Sequence, residues 1–87
     1  MKKPNIPIYS KRLYEARLNL GWSQEKLGVL LGLDEGVASV RISRYESGTH
    51  QPPLRTAQKI AKILGHPLPY FFCEDDELAT IIKNFKK

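Results

Sequence analysis

Eighty-seven residues with a net charge of +5 and a pI near 9.5 make one small domain with a basic surface. The single cysteine, Cys73, excludes an internal disulfide, and no Cys/His set has the spacing of a structural zinc site, so no metal or cofactor is expected. No apolar run is long enough to span a membrane, and Met1-Lys2-Lys3-Pro4-Asn5 lacks the apolar stretch of a signal peptide; a cytoplasmic location is expected.

The charge is uneven. Residues 1–44 hold eight Lys/Arg against four Asp/Glu, whereas residues 45–87 hold six against five. The positive excess therefore sits in the first half, which suits a polyanionic partner.

Residues 1–9 carry Pro4 and Pro7 and are expected to form a flexible arm whose Lys2 and Lys3, with Lys11 and Arg12, could follow a polyanion. Ser10 is placed to cap a helix from Lys11 to about Leu20, with Leu13, Ala16 and Leu20 apolar and Gly21 as its stop. Ser23 caps a second helix from Gln24 to about Leu31. Trp22 and Leu27 have the spacing of a hydrophobic staple, and Gly32 ends the helix.

Asp34 opens a third helix, Glu35 to about Ser47, closed by Gly48. Ala38, Ile42 and Tyr45 share one face of it; Val40, Ser43, Arg44 and Ser47 share the other. Thr49-His50-Gln51-Pro52-Pro53 is a loop. Leu54, Ala57, Ile60, Ala61 and Leu64 mark a fourth helix, and Pro67 to Phe72 a short aromatic turn that closes the core. Asp75 or Asp76 caps a last amphipathic helix with Leu78, Ile81, Ile82 and Phe85 as its stripe. No sustained strand alternation appears. The expected organisation is an arm (1–9), a compact helical unit (10–72) and a C-terminal amphipathic helix (73–87).

Two short helices joined by a tight turn near a glycine form a helix-turn-helix candidate. The residues Arg12-Leu13, Arg17, Gly21-Trp22-Ser23-Gln24-Glu25-Lys26-Leu27-Gly28, Leu31-Gly32, Ile42-Ser43-Arg44-Tyr45-Glu46-Ser47-Gly48, Pro52, Leu54 and Ile60-Ala61-Lys62-Ile63-Leu64-Gly65 carry more. Together they resemble the lambda-repressor/Cro-type, or XRE-type, helix-turn-helix family over about 60 of the 87 residues. The resemblance implies an all-α, lambda-repressor-like bundle of five to six short helices. One departure stands out. The family's usual spacing from the glycine after the second helix to the isoleucine of I-S-R is about six residues; from Gly32 to Ile42 it is ten, and four extra residues are about one helical turn. The insertion lies either within the recognition helix, lengthening it, or in the turn before it.

The resemblance implies that the chain reads double-stranded DNA with its third helix in the major groove, as a small transcriptional regulator and repressor. Such proteins bind pseudo-palindromic operators as homodimers. By this resemblance Ser39, Val40, Ser43 and Arg44 are the base-reading positions, and their chemistry agrees. Arg44 can give guanine two parallel hydrogen bonds, the serines can donate or accept, and Val40 can meet a thymine methyl. Ser23, Gln24, Arg41, Thr49, His50 and Gln51 are assigned to the DNA backbone, with Gln24 beside the exposed N–H groups of a helix start. Arg17 and Glu46 are assigned to a structural ion pair. Leu78, Ile81, Ile82 and Phe85 are a candidate dimer or partner surface. An alternative is an antitoxin-like or other protein-interaction module that also binds its operator. No phosphate loop, nucleophile motif or metal spacing supports an enzyme, and no small-molecule site is evident.

Overall fold

The computed structural model describes residues 6–85, within which six helices and no strand occur. They are α1 (Ile8–Asn19), α2 (Gln24–Leu30), α3 (Glu35–Ser47), α4 (Leu54–Leu64), α5 (Leu68–Phe72) and α6 (Asp76–Asn84). The fold is the expected all-α bundle. Phe71, Leu13, Leu27, Ile42 and Ile60 are its largest fully buried side chains, one from each of the first five helices. Tyr70 and Phe71 meet edge to face at 5.1 Å, and Tyr9 lies 5.4 Å from Phe71, so α5 plugs the open end of the bundle with aromatic surface.

The helix-turn-helix is α2 and α3. Ser23 caps α2 as its sequence position suggests, its hydroxyl oxygen accepting from the Lys26 N–H at 3.0 Å. Trp22 packs on the core that holds Leu27. The two helices approach closely because residue 28 has no side chain: a Cβ on Gly28 would stand 2.5 Å from the Ala38 Cβ. At the far end of α3, Gly48 takes φ +82°, and a Cβ there would also meet Pro7 at 2.6 Å.

The ten-residue spacing resolves in favour of the helix. Only Leu31–Asp34 connect α2 to α3, and α3 is 13 residues long. The additional turn extends its N-terminal end. Asp34 occupies the N-cap position, but its carboxylate makes no capping bond; its carbonyl accepts from the Val37 and Ala38 N–H groups instead.

Four expectations need correction. Helix α1 starts at Ile8 with Pro7 as its N-cap, so residues 7–9 belong to the folded body and not to an arm. Ser10 is therefore interior to the helix, and its hydroxyl donates to the Tyr45 carbonyl at 2.6 Å. Arg12 does not reach outward. It is buried, donates twice to the Cys73 carbonyl (3.1 and 2.7 Å), pairs with Asp76 at 3.0 Å and lies over the Tyr70 ring. Lys2 and Lys3 lie outside the described residues. In α4, Leu54 is 62% exposed because it sits at the first turn, ahead of the face carried by Ala57, Ile60, Ala61 and Leu64.

The stripe on α6 divides. Asp75 caps this helix, accepting from the Leu78 N–H at 2.9 Å. The residue buried against the bundle is small Ala79, with Ile82 packed beside it. Leu78, Ile81 and Phe85 point outward, at 49%, 63% and 68% exposure.

Candidate nucleic-acid interface

Helix α3 is held from behind and bare in front. Ala38, Ile42 and Tyr45 bury their side chains in the bundle, and Glu46 closes the same face. The Arg17 guanidinium grips the Glu46 carboxylate at both oxygens (Nε–Oε2 2.6 Å, Nη2–Oε1 3.0 Å) and donates through Nη1 to the Trp22 carbonyl at 2.7 Å. Arg17 and Glu46 are 6% and 9% exposed, and the hydrogen bonds that Arg17 donates to the Glu46 carboxylate hold the guanidinium even more firmly charged than an ordinary arginine. Gln24, at the first position of α2, donates its side-chain amide to the same Glu46 oxygen at 3.0 Å. One carboxylate thus ties α1, the start of α2 and the end of α3 together.

Opposite that anchored face, Ser39, Val40, Ser43 and Arg44 are all exposed along α3. No carboxylate lies within ion-pair distance of Arg44 or Arg41 among the described residues. The loop after α3 folds back on the helix end. Ser47 and Thr49 hydroxyls share a 2.7 Å hydrogen bond, and the His50 N–H donates to the Arg44 carbonyl at 3.2 Å. Thr49, His50 and Gln51 are consequently exposed beside the C-terminal end of α3, and Ser23 and Gln24 stand at the start of α2. Gln24 keeps its amide committed to Glu46, which leaves its oxygen and its second N–H for other partners.

Arg41 occupies the flank of α3, where it lines a shallow groove with Leu31, Leu33, Tyr45, Arg55, Thr56 and Lys59. Lys59 donates to the Leu31 carbonyl at 3.1 Å across this groove. Arg55 and Lys59 are cations that the sequence reading did not single out. Their spacing of four residues, continued by Lys62, was the available signal for a basic face on α4.

Comparison with known proteins decides the family. A family model described as Helix-turn-helix matches residues 13–71. The chain belongs to the XRE-type helix-turn-helix family. Over 73 residues it is 41% identical to HTH-type transcriptional regulators of Sinorhizobium medicae (strain WSM419) and of Rhizobium meliloti (strain 1021), an overlap of 82% of this chain and 50% of each relative. The chain spans about half the length of these curated relatives. Among solved structures it resembles the transcriptional regulator BswR, with 43% identity and a TM-score of 0.82, over 85% of this chain and 73% of that one. This is a family of transcriptional regulators and not of enzymes. Among the described residues, no helix is long and apolar enough to cross a membrane.

Proposed function

We propose that this chain binds a specific double-stranded DNA operator as a transcriptional repressor, with α3 in the major groove. The observation that carries the reading is the asymmetry of α3. One face is anchored by the Arg17–Glu46–Gln24 cluster, and the other offers Ser39, Val40, Ser43 and Arg44, whose side chains have no hydrogen-bond or ion-pair partner among the described residues. In this role Arg44 takes a guanine through O6 and N7, Val40 packs on a thymine methyl, and the two serines read neighbouring edges. Ser23, Gln24, Thr49, His50 and Gln51 bracket the groove from the two sides of α3 and hold phosphates. Arg41, joined by Arg55 and Lys59, does so along the flank.

The decisive experiment is selection of binding sites from random duplex DNA. A recovered consensus bound far more tightly than random DNA at physiological salt, with affinity falling steeply as salt rises, is the expected result. Equal affinity for both duplexes removes the claim of specific reading.

The active species in this reading is a homodimer joined through α6. Leu78, Ile81 and Phe85 form an exposed apolar ridge, with Asp76 and Glu77 at its start and Lys83 near its end. A second copy in antiparallel register sets acidic end against basic end, a self-complementary arrangement that a two-fold interface allows. Deleting α6 is the wrong test, because Ala79 and the Arg12–Asp76 pair belong to the fold. Ile81→Asp with Phe85→Asp should instead leave a folded monomer by light scattering. A partner protein on this ridge, the antitoxin-like reading, predicts a monomer before substitution as well.

A further inference from the structure

Six glycines punctuate the chain. Backbone geometry accounts for Gly21, Gly32, Gly48 and Gly65, which have positive φ, and packing accounts for Gly28 against Ala38. Gly36 has neither reason. It is the second residue of α3, has no positive φ, and a Cβ built on it meets nothing within 4 Å. Glycine within a helix is destabilising relative to alanine, because the unfolded chain has more freedom to lose. No contact among the described residues offsets that loss at residue 36.

Its place on the helix does suggest a reason. At about 100° per residue, with Ala38, Ile42 and Tyr45 inward, Gly36 falls on the outward row with Val40, Ser43 and Ser47. It sits one turn N-terminal to Val40, about 6 Å along the axis, in the additional turn of α3. We infer that Gly36 is a specificity-setting position of the DNA-facing surface: the bare backbone of this turn seats against base edges, in the space a side chain would fill. The inference rests on the proposed reading of α3 and adds a contact to it.

The flanking chemistry says which part of the DNA is met there. Asp34 and Glu35 are exposed and have no salt bridge among the described residues. Carboxylates at the tip of the helix are repelled by phosphates. They do accept from the amino group of cytosine N4 in the major groove. In this reading the added turn faces base edges, while phosphates lie against Arg41, Arg55 and Lys59 on the flank of the helix.

The test measures the full chain and its Gly36→Ala and Gly36→Leu variants on two duplexes of equal length, the selected operator and a random sequence. Melting temperatures are recorded alongside. The expected result is a loss of about tenfold in operator affinity for alanine and more for leucine. Affinity for the random duplex should stay within about twofold, since phosphate contacts dominate it. The melting temperature should hold or rise by a few degrees. Gly36→Ala that keeps the operator preference overturns the inference, and so does a lowered melting temperature, which would assign the glycine to the fold. A parent chain that itself fails to distinguish the duplexes removes the α3 reading first; a parent that discriminates alongside an equally discriminating Gly36→Ala removes this inference alone.

Discussion

The two ends of α3 are built on different principles. From Ile42 to Glu46 the helix is fastened by directed bonds: Ser10 to the Tyr45 carbonyl, and Arg17 with Gln24 to Glu46. From Glu35 to Val37 no side chain caps it, Val37 is half exposed, and the nearest hold is the contact of Ala38 with Gly28. A helix pinned at one end and merely packed at the other can change its free turn without disturbing its register. The added turn lies at the packed end, where length can vary at little cost to the fold.

Substitutions along the helix test this contrast, beginning where the effect should be largest. Glu46→Ala leaves Arg17 buried without its carboxylate and should cost about 3–5 kcal/mol in a urea unfolding curve. A cost under about 1 kcal/mol would show that the pinned end is not pinned by charge. Gly28→Ala forces a methyl into the Ala38 contact and should cost about 1–3 kcal/mol, read by the same assay. An unchanged midpoint would mean that α2 and α3 can separate freely. Arg44→Ala should leave the melting temperature in place and remove about 1–3 kcal/mol of discrimination at one base step, seen by repeating the site selection. An intact consensus would shift the register assigned to α3. Asp34→Ala, lacking a cap bond to lose, should cost less than the roughly 1 kcal/mol usual for an N-cap replacement. A full N-cap penalty in thermal unfolding would mean that the free end is capped in solution.

Much of the architecture could be read from local signals. Ser23, Gly32, Gly48 and Gly65 mark their helix ends because capping and left-handed turns depend on single residues. The inward row of α3 followed from periodicity alone. What stayed hidden depends on contacts distant in sequence. Ser10 looks like a cap until Tyr45, 35 positions away, supplies an acceptor. Arg12 looks like a surface cation until the Cys73 carbonyl and Asp76 arrive from the other end of the chain. On α6, pattern reading favours the largest apolar side chains. The bundle takes small Ala79 with Ile82 beside it, and Leu78, Ile81 and Phe85 stay outside. The reach of Arg55 and Lys59 towards Arg41 likewise exists only once α4 lies beside α3.

Arg12 has one more consequence, which belongs to the geometry of the DNA. By joining α1 to the Cys73 carbonyl and to Asp76, it fixes the direction in which α6 leaves the bundle. In a pair of chains joined through α6, that angle becomes the separation and phase of the two α3 helices. Each base pair inserted between half-sites turns one of them by about 35° around the duplex axis. In such a pair, a single base pair inserted between the half-sites would turn one copy off its face of the double helix.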